Sequence, residues 1–348
     1  MKKKSLLFPA IICFLTANCI PTAADAQEFS NAAEYMEYMS EEYDDISKDL
    51  WQYTKSAAHG KRAKKVEKKR KELLKTTSNA QKKIKKMPDY EGDVSLRDSV
   101  VSFLKMSYIL LDEDYGKIVD LEEIAEQSYD AMEAYLKAKE VANEKFDKAG
   151  DMLETVQKTF ADEHNITLVD KEDRISRKLG IANEVIKYYN PVYLIFFRSY
   201  KQEAYLLEAL EKRDMSAVEQ NKNALLEYSE GGIKKLSTIH SYKGDASLKS
   251  ACLKMLRFYK DEAENKIQVY SDYYMEKEKF ENIRKNFESK PQNKLTQEEV
   301  DEFNKAVNEF NELVDKFNKV NQELNEERQE LINSWNKTAD KFMDKHVP

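Results

Sequence analysis

Two short stretches decide the fold: "PDYEGDVSLRDSV" over Pro88–Val100 and "HSYKGDASLKSAC" over His240–Cys252. Tyr, Gly, Asp, Ser and Leu recur at the same spacing 152 positions apart, followed by Arg97 in one and Lys249 in the other. Each residue has a use in a helix-to-helix turn. Pro88 ends one helix, Gly92 or Gly244 lets the backbone reverse, and Asp93 or Ser95 (Asp245 or Ser247) caps the next helix through a side-chain oxygen. Turn chemistry explains the Gly-Asp pair without a ligand.

Working backwards at the same offset, Val66 meets Val218, Leu73 and Leu74 meet Leu225 and Leu226, and Ile84 meets Leu236. At offset 150, Tyr43 meets Tyr193, Ile46 meets Phe196 and Leu50 meets Tyr200. Forward, "KFDKAGDML" from Lys145 answers "KFNKVNQEL" from Lys316, and "FADEH" at Phe160 answers "FMDKH" at Phe342. Matches in this order predict an internal repeat of antiparallel helical-bundle units. The offset widens from 149 at Lys117/Lys266 to 171 at Phe146/Phe317, so the second unit should carry a hairpin longer by about three turns per arm.

Composition supports an all-α chain. Gly numbers 8 and Pro 6, against 35% charged residues, and no alternating β pattern competes. The expected layout is a signal peptide over 1–26, a first unit over 27–168, a connecting helix over 169–190 and a second unit over 191–348. Asn190 followed by Pro191 reads as a fresh helix start. "VYLIFF" at Val192–Phe197 is far too short to span a bilayer and reads as a central buried helix.

In the hairpin, Phe303, Phe310 and Phe317 fall seven apart with Leu324 and Leu331 at d, while Val307, Val314, Asn321, Arg328 and Trp335 take a. Thr296 with Glu299 is a capping box that opens the helix. Such heptads pack either within the hairpin or as a homodimer through the 300–335 helix.

The start reads as an export signal: Lys2–Lys4, an apolar run Ser5–Ile20, then "ADA" at Ala24–Ala26 before Gln27. The rival is lipidation at Cys19 in "LTANC", where Asn18 is a poor residue before a lipobox cysteine. Cleavage after Ala26 leaves Cys252 alone, so no intrachain disulfide is expected and its place beside Leu248 and Leu256 makes it a buried thiol. The chain is thus expected in the periplasm or at the cell surface, or lipid-anchored at Cys19.

Chemistry-bearing patterns are scarce. No Glu-x-x-His, HExxH, GxSxG, P-loop or GxGxxG occurs among the 348 residues. His164 and His346, each two after an acid, read as cations at helix C-termini. No catalytic residue, metal ligand or cofactor is therefore assigned.

One segment departs from its background. From His59 to Pro88 there are thirteen Lys and Arg against Glu67 and Glu72, a local charge of +11 in a chain of net −7. The matching segment Glu211–His240 holds five of each sign. Apolar positions agree between the two while charge does not. Either the acidic "LLDEDYGKIVDLEEIAEQ" neutralises the basic helix, or Lys61, Arg62, Lys64, Lys65, Lys68, Lys69, Arg70, Lys71, Lys82, Lys83, Lys85 and Lys86 face an anionic partner, an envelope lipid or acidic glycan. Nucleic acid ranks last, because the whole chain is acidic and no groove-reading motif occurs.

Together, "AEQSYDAMEAYLKAKE", "YLIFFRSYKQEAYLLEAL", "YKGDASLKSACLKMLRFY", the terminal "DKHVP" and the lipoprotein-like start resemble an uncharacterised family of bacterial surface proteins, of Leptospira-type and Bacteroidetes genomes. The resemblance implies a cell-envelope location and a helical fold, and no activity, cofactor or catalytic residue. The expected function is non-enzymatic binding or spacing of envelope components. The alternative is a metal-dependent or hydrolytic enzyme whose site assembles from scattered residues.

Overall fold

The computed structural model describes residues 29–59, 63–116, 124–168 and 174–348, and within them the chain is all-α. The helices are α1 (Ala32–Ala58), α2 (Ala63–Lys85), α3 (Ser95–Ile109), α4 (Tyr129–Glu163), α5 (Arg174–Lys212), α6 (Met215–Thr238), α7 (Ser247–Asp261), α8 (Ile267–Glu288) and α9 (Gln297–His346). The signal-peptide and Cys19 expectations, and Lys61 and Arg62, lie outside the described residues.

Contacts divide the chain into one unit of residues 1–190 with 341–348, and a second of residues 191–340. In the first, α1 packs on α2, α2 on α3 and α3 on α4. Tyr35, Met39, Ile46, Leu73, Ile84, Leu96, Leu104 and Phe160 form its core. Asn31 caps α1 by accepting the Glu34 N–H at 2.9 Å, and Ser128 caps α4 by accepting that of Ala131 at 3.1 Å.

The two quoted stretches fold alike. Glu91 and Gly92 take φ of 53° and 85°, Lys243 and Gly244 take 48° and 85°, so each turn has two left-handed central residues. Tyr90 pairs with Asp93, and Tyr242 with Asp245, through backbone hydrogen bonds that close the turn. Asp93 accepts the Ser95 N–H at 2.7 Å and Asp245 that of Ser247 at 2.9 Å. The expected cap is thereby shifted. Ser95 and Ser247 are the first helical residues, and the formal N-caps, Val94 and Ala246, offer no side-chain bond. Arg97 donates to the Met87 carbonyl at 3.0 Å, and Lys249 to the Ile239 carbonyl at 2.6 Å, each bonding a backbone carbonyl just past the end of the preceding helix.

Helices α3 and α7 have the same length, 15 residues, and each runs into a five-residue π turn, Leu110–Asp114 and Glu262–Lys266. A π turn widens the helix by one residue and releases carbonyls from their usual partners. In the first unit, Arg70 collects two of them, donating to Leu111 O at 2.6 Å and Asp112 O at 3.3 Å.

Pro191 corrects one expectation: it lies inside α5, which runs from Arg174 through to Lys212. Proline costs one N–H bond in a helix interior. Buried Val185 on one side and Val192, Phe196 and Phe197 on the other hold the helix continuous through it. The apolar run serves the second unit's core. Phe196 stacks on Trp335 with centroids 4.2 Å apart, and Gly232 admits Ile195 so closely that a Cβ there would sit 3.2 Å from its methyl.

In the second unit α8 and α9 form a hairpin. The capping box is present: Glu299 N–H to Thr296 Oγ1 at 3.2 Å and Thr296 N–H to Glu299 Oε2 at 3.1 Å. The rings at heptad spacing on α9 meet a matching series on α8. Phe303 stacks on Phe287 at 4.1 Å, Phe310 on Phe280 at 4.6 Å, and Phe317 on Tyr273 at 4.1 Å, with interplanar angles of 7°, 8° and 18°. The spacing of Tyr273, Phe280 and Phe287 is also seven, which the sequence alone had not brought out.

Candidate anion-binding face

Helix α2 is anchored through one stripe. Val66, Leu73, Thr77, Ala80 and Ile84 are buried, and Thr77 satisfies its hydroxyl on the Leu73 carbonyl at 2.9 Å. Thr76 donates to Asp49 of α1 at 2.6 Å, and Gln81 to the Val101 carbonyl of α3 at 3.4 Å, which fix the helix in rotation.

The basic residues divide into two sets. Arg70 is buried and takes Glu67 in a fork, Nε at 2.7 Å and the second nitrogen at 2.9 Å, besides the π-turn carbonyls. Its hydrogen bonds hold the Glu67 carboxyl below its usual range. Arg70 is therefore a packing residue rather than part of an anion-binding surface, because burial left its guanidinium no other way to be satisfied. Lys69 is tied to Glu72 at 2.6 Å and Lys83 to Glu42 of α1 at 2.6 Å.

Lys64, Lys65, Lys68, Lys71, Lys82, Lys85 and Lys86 are exposed, and Lys75 joins them. Lys68 and Lys71 reach Glu72 and Glu67 only at 4.0 and 3.5 Å, through ammonium groups that are mostly in solvent. Surface pairs of this kind contribute little. Among the described residues no carboxylate pairs with Lys64, Lys65, Lys75, Lys82, Lys85 or Lys86. Of the acidic stretch over 110–127, the described residues place Asp112 beside α2, at 3.7 Å from Arg70. Glu42 and Asp49 on α1, missed from the sequence, bond α2 instead.

Helix α6 provides an internal comparison. It starts and packs at the same offset of 152, with Val218, Leu225 and Leu236 buried where α2 buries Val66, Leu73 and Ile84. Its Glu219–Lys222 pair at 2.7 Å stands where Glu67–Arg70 stands. The same helical frame thus carries a neutral surface in one unit and a basic one in the other.

A second polar cluster was invisible in the sequence. Arg328 of α9 bonds Glu203 of α5 through Nε and Glu262 of the π turn through a terminal nitrogen. Glu203 and Glu262 are buried, and burial pushes the Glu262 carboxyl up to about 8. With neither carboxylate open to solvent, this is a clamp joining three helices rather than a site for substrate. Among the described residues no group of three or more His, Cys, Asp or Glu is placed to hold a metal ion, and no helix is long and apolar enough to cross a membrane. No family model, curated protein or solved structure matches the chain.

Proposed function

We propose that this is a non-enzymatic, exported helical protein of the bacterial envelope, which binds anionic envelope material through the exposed lysines of α2. One observation carries the reading. Helices α2 and α6 bury equivalent residues, yet only α2 is basic, so folding alone does not require the lysines. Like charges at that density repel and lower stability. Export rests on the Lys2–Ala26 pattern, and the surface-protein resemblance agrees with it.

The chain also reads as a tandem duplication. Its support is the shared turn geometry, the Arg97 and Lys249 bonds and the two π turns, all at one offset. Pairing of two copies through the 300–335 helix would have to use the flank of α9 turned away from α8. Sedimentation at rising concentration reads it.

The binding test replaces Lys64, Lys65, Lys68, Lys71 and Lys75 by Gln and measures association with anionic vesicles, lipopolysaccharide and acidic glycan. Weakened binding at an unchanged or raised melting temperature is the expected result. Undiminished binding with a lowered melting temperature overturns it, since the charges would then serve the fold.

A further inference from the structure

Within the exposed set, five lysines of α2 fall on one line, and Lys86 follows one residue past the helix end. At about 100° per residue, Lys64, Lys68, Lys71, Lys75 and Lys82 lie within about 60° of one another, opposite the buried Val66–Leu73–Ile84 stripe. They extend over about 27 Å of helix, roughly one charge per 6–7 Å. Ser78 and Asn79 fill the interval between Lys75 and Lys82, and offer hydrogen bonds in place of charge. At offset 152 the same positions on α6 read Ser216, Gln220, Asn223, Glu227, Lys234 and Thr238, every one of them exposed. A polar line suffices for the packing; a lysine line is specific to α2.

We infer that this line seats an extended acidic polysaccharide along the axis of α2. The inference rests on the anion-binding reading above and adds the shape and class of the ligand. Three features select it. An interfacial helix inserts its own apolar face into lipid, but the apolar face of α2 is committed to the bundle core. Duplex nucleic acid carries a charge every 1.7 Å or so, several times denser than the line. The line also lacks aromatic rings for base stacking and arginine forks for phosphate. A chain with about one carboxylate or sulfate per sugar, and hydroxyls between them, matches both the sparse charge and the Ser78–Asn79 interval.

The test uses the full chain and a variant wearing the α6 surface: Lys64→Ser, Lys68→Gln, Lys71→Asn, Lys75→Glu and Lys86→Thr. Titration with oligogalacturonates of increasing length, and separately with phosphatidylglycerol vesicles, is run at low and physiological salt. Affinity should climb with oligomer length until the chain spans the line and then level off. The variant should lose at least tenfold, and added salt should weaken both. If the variant melts early, Lys75→Gln with Lys82→Gln, both exposed and without a carboxylate partner among the described residues, carries the comparison and should lose several-fold. Length-independent binding, or full affinity in these variants, overturns the inference. Vesicle binding through the same lysines without oligogalacturonate binding overturns it too, while leaving the anionic-face reading intact. Binding to neither removes both.

Discussion

Glu262 and Glu203 share one arginine in a place where water does not reach. Burial is the first cause of the raised Glu262 value, and the neighbouring Glu203 charge adds to it against the pull of Arg328. A carboxyl held near 8 in the folded state and near 4.5 in the unfolded chain binds more protons when folded. Stability from this group is therefore fully present below about 4.5 and falls as pH rises through the folded value. Melting followed from pH 5 to pH 9 should show this decline, and Glu262→Gln should flatten it; an unchanged slope in the variant would refute the assignment. Arg328→Leu should be worse than either Glu→Gln change, by about 3–5 kcal/mol, because it leaves two buried carboxyl groups with no counter-charge. Cys252 makes a milder case. Its thiol lies buried against the Val192 carbonyl at 3.8 Å and is pushed up to about 12 by burial. Alkylation by iodoacetamide at pH 8 should thus wait for unfolding; rapid modification of native protein would contradict the burial.

At the scale of elements, the turns and the hairpin are held by different physics. Gly92 and Gly244 sit at φ of 85° with open space where a Cβ would stand. Alanine at either position should cost about 1–2 kcal/mol through backbone strain alone, with nothing to clash against. Denaturant titration of the two single variants should give similar losses, and a difference greater than the value itself would mean the turns are not energetically alike. In the hairpin the stacked rings are only half-buried, so burial there contributes less than in either core. A double-mutant cycle on Phe280→Ala and Phe310→Ala should return a coupling of about 0.5–1.5 kcal/mol beyond area lost. Zero coupling would mean the heptad rings are merely adjacent.

For the whole molecule, the prediction concerns its first residue. Intact mass of protein from its native host should give a mature chain beginning at Gln27. A chain beginning at Cys19 and carrying acyl groups would instead make it an anchored lipoprotein and place α2 near a membrane by tether rather than by charge. The all-α class, the two reversing turns, the capping box at Thr296 and the inward side of α2 could all be read beforehand. Each depends on residues within a few positions of one another, where periodicity and turn chemistry act directly. Which basic residues face solvent could not be read that way. Arg70 looks like its neighbours in the sequence, yet the π turn 41 positions on takes its guanidinium. Pro191 reads as a helix start by local rules, and packing on both sides carries the helix through it.

The amino-acid sequence by itself determined helix content, the repeated turn and the surplus of positive charge on one helix, since these follow from local spacing and composition. Tertiary structure alone decided that, among the described residues, the surplus divides into a buried arginine, a few tied lysines and an exposed set. It likewise decided that Glu203, Glu262 and Arg328, up to 125 positions apart, meet as a clamp. The reason is that desolvation and charge pairing depend on what the folded chain brings within a few ångströms, and no local pattern records that distance.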